Sequence, residues 1–220
     1  MSITKINKII ASGCSFTFGE ELDNPAQQSW PAIVAEHFNA TVENLGWPGA
    51  SNEHILNLII DYCSKNDISN SVFVVMWSHF SRQTFCRSES HKFLRHISIT
   101  WPAANDKDLK DLLFAKYYNE DYLFKKTLMQ IILLQNFFRA NNCPYIMCTS
   151  MGHATPNVVH EDLKPLIDMV DKTKYKGFLK DSFDSLTTPA YRLPKGHPDA
   201  KAHIEMANII TQWIKDDYQV

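Results

Sequence analysis

The 220-residue sequence carries 22 Lys and Arg against 24 Asp and Glu, a formal charge of −2, with 45% hydrophobic and 21% charged residues. Those proportions suit a globular chain long enough to bury a core, and they lack the basic excess of a nucleic-acid footprint. The continuous apolar run from Val72 to Trp77 falls far short of the roughly 20 residues a bilayer requires. Neither a nucleic-acid nor a membrane partner is therefore expected.

In chain order, Lys8 to Ser12 reads as a short strand ending at a glycine. Ser29 to Phe38 reads as a helix, with Ser29 placed to cap it and Pro31 suited to its first turn. Thr41 to Leu45 reads as a second strand. Ser51 to Lys65 reads as a helix whose Ile55, Leu58, Ile59 and Tyr62 share one face. Val72 to Trp77, rich in valine, has the pattern of a central parallel strand buried on both sides. From 83 to 118 the pattern breaks up and reads as an insertion with short helices. Glu120 to Asn141 reads as a long helix and Tyr145 to Thr149 as a fourth strand. A helix is expected from Val158 to Asp171 and a fifth strand near Gly177 to Leu179. The last helix starts near Pro198 and reaches about Asp216, burying His203, Met206, Ala207, Ile210, Trp213 and Ile214. Strands alternating with helices predict one α/β domain over 1–220, a parallel sheet of about five strands between helix layers.

Five cysteines, Cys14, Cys63, Cys86, Cys143 and Cys148, form no CxxC pair. The odd count points to a reducing compartment rather than a disulfide framework or a zinc site. Ala11 to Cys14 loosely resembles a lipoprotein cleavage site. Only Ile9, Ile10 and Ala11 separate it from Lys8, too few for a signal peptide, so a cytoplasmic location is expected. No H-E-x-x-H pattern occurs, and no metal or organic cofactor is expected.

Parallel sheets place their sites beyond the carboxyl ends of the strands. After the first strand comes Gly13-Cys14-Ser15-Phe16-Thr17-Phe18-Gly19, where Ser15 is either a nucleophile whose N–H also serves an oxyanion or a turn serine capping a helix. Cys14, one position earlier, points to the other side and reads as buried filler. After the second strand comes Asn44-Leu45-Gly46-Trp47-Pro48-Gly49-Ala50-Ser51-Asn52. Gly49 there is a candidate oxyanion donor, and an ordinary strand-to-helix turn is the alternative. After the third comes Trp77-Ser78-His79-Phe80-Ser81-Arg82. Ser78 or His79 could donate to an oxyanion; Arg82 could hold a substrate anion or pair with a carboxylate of the insertion. Near the C-terminus, Gly196-His197-Pro198-Asp199 places a histidine in a loop, where it could reach Ser15 as general base.

These four segments, in this order, resemble the SGNH (GDSL-like) hydrolases, and most closely a "GCSFT" branch met in bacteria and bacteriophages. The resemblance covers 8–82 and 190–215. It implies a three-layer α/β/α, flavodoxin-like fold and a serine esterase acting on small acyl or acetyl esters, including those on carbohydrate. A phage origin would imply a virion-associated protein. The family's first block, Gly-Asp-Ser-x-x-x-Gly, carries the nucleophile onto Ser15, with Cys14 in place of the aspartate. Its second block carries an oxyanion glycine onto Gly49, and its last carries the base onto His197. Asn52 and Arg82 become substrate-binding candidates. Two positions depart. His79 stands where the third block supplies an oxyanion asparagine, and Pro194 stands where an aspartate usually precedes the histidine. The orienting acid then comes from elsewhere, with Asp184 or Asp181 as candidates, or the site is a Ser-His dyad. Those departures leave open a non-catalytic carbohydrate-binding or assembly domain, and an O-acyltransferase is a further alternative. The sequence leaves the oligomeric state open.

Overall fold

The computed structural model describes residues 5–86, 94–98, 111–112, 115–116, 118–151 and 159–220. Its elements begin with β1 (Lys8–Ser12), α1 (Ser15–Phe18), α2 (Pro25–Gln28), α3 (Trp30–His37), β2 (Thr41–Asn44), α4 (Asn52–Lys65), β3 (Ser71–Trp77), β4 (Arg82–Cys86) and β5 (Leu94–Ser98). They continue with α5 (Glu120–Ala140), β6 (Tyr145–Thr149), a 3-10 turn (Glu161–Leu163), α6 (Lys164–Met169), α7 (Phe183–Leu186) and α8 (Ala200–Tyr218).

The main sheet is parallel in the order β2-β1-β3-β6, with Ile10 beside Phe73 and Val75 beside Met147. Every residue of β3 is buried, as its unbroken apolar run demands of a central strand covered on both faces. Helices α3 and α8 pack together on one side, and α4 and α5 on the other. This is the three-layer α/β/α arrangement. The caps are local chemistry: Ser51 accepts from His54 N–H at 3.3 Å, Asn119 from Tyr122 N–H at 2.8 Å, and Asp199 from Lys201 and Ala202 N–H at 2.9 and 3.0 Å. No described helix is long and apolar enough to cross a membrane.

Three expectations change. Among the described residues the main sheet has four strands, not the expected five or so. Gly177 and Leu179 have φ of +67° and +64°, which a strand cannot accommodate. Only Tyr175 bridges to Met147, so the fifth position shrinks to a single residue beside β6. In the insertion, β4 and β5 form an antiparallel pair that was not expected, with Thr84 opposite His96, and 111–112 and 115–116 are helical, while most of 87–110 lies outside the described residues. The helix expected from Val158 begins outside them too. What is described is the 3-10 turn and α6, ended when Val170 turns extended (ψ 126°).

Ser29 sits at the head of α3 without capping it through its side chain. The free N–H of Trp30 is instead taken by His203 Nδ1 at 3.1 Å, reaching across from α8. His203 is fully buried, and burial pulls its pKa down to about 4. An unfolded histidine titrates near 6.5, so between pH 6.5 and 4 protons bind the unfolded chain in preference. That contribution to stability is present above pH 6.5 and is lost as pH falls. We expect wild type to lose about 2 kcal/mol more than His203→Gln between pH 7 and pH 5, measured by urea unfolding.

Candidate functional site

The site begins where β1 ends. A Cβ on Gly13 would lie 2.1 Å from Thr17 Oγ1 and 2.9 Å from the Met76 carbonyl oxygen, so only glycine lets the chain turn into α1 here. Cys14 stands at the helix head, fully buried, and its carbonyl accepts from Thr17 and Phe18 N–H, both at 3.0 Å. Ser15 is next. Its N–H and its Oγ have no hydrogen-bond partner among the described residues.

The loop after β2 is sewn onto this turn. Trp47 N–H donates to Gly13 O at 3.0 Å, and Asn44 bridges the two segments, donating to Thr17 O at 2.9 Å while accepting from Gly46 N–H at 2.9 Å. A Cβ on Gly46 would come within 2.5 Å of Phe18 N and 2.9 Å of its Cα, backbone atoms that cannot step aside. Gly46→Ala should therefore cost about 1–3 kcal/mol by denaturant unfolding, through overpacking. Gly49 follows in the left-handed region at φ +75°, and its N–H is likewise without an acceptor among the described residues.

Beyond β3, His79 carries a readable tautomer. Ser81 N–H donates to His79 Nδ1 at 3.2 Å, so Nδ1 is a lone pair and Nε2 bears the proton. Ser81 Oγ lies 2.8 Å from the same nitrogen, and the ring stacks on Phe80 at 4.4 Å. Burial, helped by the Arg82 cation and opposed by Glu120, lowers the His79 pKa to about 4. At neutral pH it is an uncharged N–H donor.

Arg82 Nη1 donates to Ser78 Oγ at 2.9 Å and Nη2 lies 3.6 Å from Met151 S. The ion pair with an insertion carboxylate is not seen among the described residues. Asn52 departs from its expected role. It is buried at the head of α4, its Oδ1 taking Ser78 N–H at 2.8 Å and its Nδ2 donating to Ser78 O at 3.0 Å and Thr127 Oγ1 at 3.2 Å. With both amide hydrogens committed, the side chain braces the end of β3.

His197 lies in a tight loop closed by Leu193 N–H to His197 O (2.7 Å) and Asp199 N–H to Tyr191 O (3.1 Å). Pro194 occupies the exposed turn of this loop. Neither sequence candidate for the orienting acid reaches the ring. Asp184 is 2.7 Å from Arg192 and paired with it, and Asp181 is exposed beside Gly177. The acid at His197 Nδ1 is Glu21, at 2.6 Å. Its other oxygen accepts from Lys195 N–H at 3.2 Å. Desolvation alone would raise the Glu21 carboxyl; the hydrogen bonds from His197 and Lys195 outweigh it and hold the pKa below the ordinary value. Glu21 takes this position because its φ is +70°, just after Gly19 at +85°, so the chain doubles back behind α1.

Glu20 completes the arrangement, its Oε2 3.2 Å from His197 Nε2. The ring is thus held between two consecutive glutamates, with Phe16 edge-on at 6.1 Å. Ser15 Oγ and His197 make no hydrogen bond in this state. Sequence reasoning missed both glutamates. The only signal was their place directly after the Ser15 segment, and nothing local tied Glu21 to a histidine 176 positions later. Among the described residues no group of three or more His, Cys, Asp or Glu could hold a metal ion.

No protein-family model matches the sequence, and no curated protein matches it. Solved structures do match in shape. A member of the lipolytic protein G-D-S-L family from Veillonella parvula is similar at TM-score 0.52 and 16% identity, over 93% of this chain and 96% of that one. A family two carbohydrate esterase from Clostridium thermocellum, solved with cellohexaose, matches at 0.55 and 15%, over 99% of this chain and 65% of that one. A carbohydrate esterase family 2 enzyme with a carbohydrate-binding domain from Corynascus thermopiles (Myceliophthora fergusii) matches at 0.57 and 12%, over 96% and 66%. This chain thus spans about two thirds of each of those two esterases. At such identities the likeness is one of fold, and the fold is that of the SGNH (GDSL-like) hydrolases.

Proposed function

We propose that this chain, built on the SGNH hydrolase fold, is a serine ester hydrolase for small acyl esters, with Ser15 as nucleophile and His197 as base. The observation that carries the reading is the 2.6 Å contact of Glu21 with His197 Nδ1. An acid on Nδ1 fixes the tautomer and leaves Nε2 to exchange protons, the logic by which Ser-His-acid sites work on unrelated folds. Glu21 then fills the role left vacant by Pro194, and a triad replaces the dyad. The carbohydrate esterases among the structural neighbours support an ester carried on a sugar.

In this mechanism the Ser15 hydroxyl attacks the acyl carbon as its proton passes to His197 Nε2. The carbonyl oxygen becomes an oxyanion, met by the free N–H groups of Ser15 and Gly49 and by His79 Nε2–H. Collapse breaks the bond to the alcohol oxygen, which leaves with the proton from Nε2. Water then attacks the acyl-serine, giving its proton to Nε2, and the acid departs as Ser15 recovers its hydrogen. A neutral donor such as His79 keeps its hydrogen throughout and takes no proton of its own above about pH 5. His79→Ala should lower kcat about 10²- to 10³-fold, as loss of one oxyanion donor does, with little change in KM. Steady-state kinetics on an acetyl ester checks this.

The deciding experiment is intact-mass labelling by a fluorophosphonate. One adduct on wild type, absent from Ser15→Ala, supports the hydrolase. A folded wild type that takes no adduct favours the non-catalytic reading, which the missing Ser15–His197 bond also motivates.

A further inference from the structure

His197 Nε2 is the nitrogen that must face Ser15 during attack and the alcohol oxygen during departure, yet here it faces Glu20 Oε2 at 3.2 Å. Glu20 is held loosely, its side chain 39% exposed against 13% for Glu21. The two neighbours therefore differ in kind. Glu21 is anchored at both oxygens, by His197 and by the Lys195 N–H, whereas among the described residues the Glu20 carboxylate meets only the histidine. A half-exposed glutamate turns about its side-chain bonds at small cost, so its carboxylate can leave Nε2 without moving the backbone.

We infer that Glu20 is a specificity gate on the alcohol side of the site, selecting esters whose alcohol bears further hydroxyl groups; this rests on the hydrolase reading above. At rest Glu20 occupies the seat on Nε2 that substrate needs. When an ester binds, its alcohol oxygen takes a place about 3 Å from Nε2, so the displaced carboxylate stays beside the alcohol moiety. What happens to the carboxylate decides the cost. A polyol offers hydroxyl donors that replace the contact given up to His197, and charge-assisted hydrogen bonds of this kind are among the strong ones. A plain monohydric alcohol offers none, so its ester bears the full cost of opening the gate. An alcohol with its own phosphate or carboxylate is repelled. A residue of this kind discriminates by penalising the wrong partner as well as by rewarding the right one. The substrate class is therefore an ester of a neutral polyhydroxylated alcohol, a sugar or polyol.

The test compares kcat/KM for a monoacetylated methyl glucoside with that for ethyl acetate, in wild type and in Glu20→Ala. Wild type should prefer the sugar ester. In Glu20→Ala the preference should fall about tenfold, chiefly because ethyl acetate improves as its barrier to displacing Glu20 disappears. Glu20→Gln, which keeps an acceptor oxygen without the charge, should lie between. An unchanged ratio in Glu20→Ala overturns the inference, as does an equal gain on both esters, which would make Glu20 a plain plug. So does a wild type that prefers ethyl acetate. Fluorophosphonate labelling of both chains separates the two failures. If Ser15 is labelled and the ratio stays put, only the gate falls; if neither chain is labelled, the hydrolase reading falls and takes the gate with it.

Discussion

Alanine at Ser15 or at His197 should each abolish ester turnover, lowering kcat by about 10⁶-fold, and Ser15→Ala should leave the unfolding free energy within roughly 0.5 kcal/mol of wild type. The two losses should be about equal, and the double variant no worse than either, because nucleophile and base act as one unit. Ser15 Oγ makes no hydrogen bond that the fold would miss. His197 does make them, to Glu20 and Glu21, so His197→Gln is the safer companion variant for stability. A His197 variant that keeps substantial turnover would remove it as base, and the search for the proton acceptor would move to Glu20, whose carboxylate lies 3.2 Å from His197 Nε2. Steady-state kinetics beside circular dichroism settles the matter.

Glu21→Gln carries the second large effect, a fall in kcat of about 10³- to 10⁴-fold with KM little altered. The amide keeps the size of the side chain and can still accept from Lys195 N–H. It no longer places a negative charge on Nδ1, and it can present an N–H there, which turns the imidazole to the wrong tautomer; the equivalent change in a Ser-His-Asp site costs about 10⁴. The pH dependence has a definite sign. The folded Glu21 pKa lies below its ordinary 4.5, so the carboxylate is ionised across the neutral range, and its contribution to stability is present above 4.5 and lost only as pH falls through the lower folded value. Wild type should thus hold its orienting charge at pH 5, and Glu21→Gln should show a smaller loss of stability on acidification. Asp184→Asn, by contrast, should leave kcat within twofold or so, since that carboxylate pairs with Arg192. A strong loss at Asp184 with none at Glu21 would reverse the assignment of the acid.

What was legible in the chain was whatever depends on neighbours in sequence. β3 reads as a buried central strand from its apolar run, and α8 from the spacing of His203, Met206, Ala207, Ile210, Trp213 and Ile214, all buried except Trp213, which is partly buried. The Gly13–Gly19 and Gly46–Gly49 turns announce themselves because close backbone approach and positive φ admit little besides glycine. Their place after strand ends follows from the parallel sheet. The segment Gly177-Phe178-Leu179 misled, since a short apolar stretch does not reveal that two of its residues are left-handed.

Side-chain partnership was decided by the tertiary structure alone. Asn52 looked free beside a helix head, and only the end of β3 arriving against it consumes both ends of its amide. Ser29 looked like a cap, and His203 from the far end of the chain does that work. Spacing along the chain points to an acid three residues before His197 or in the loop leading to it, because sequence patterns relate near neighbours. The carboxylate that meets His197 Nδ1 is instead that of Glu21, brought there by the left-handed turn after α1 and by the packing of Phe16 against Phe183 and His197. A strand or helix is set by the period of its own residues, within a few positions. A hydrogen bond between residues 21 and 197 depends on every layer that folds between them, and no period in the sequence encodes it.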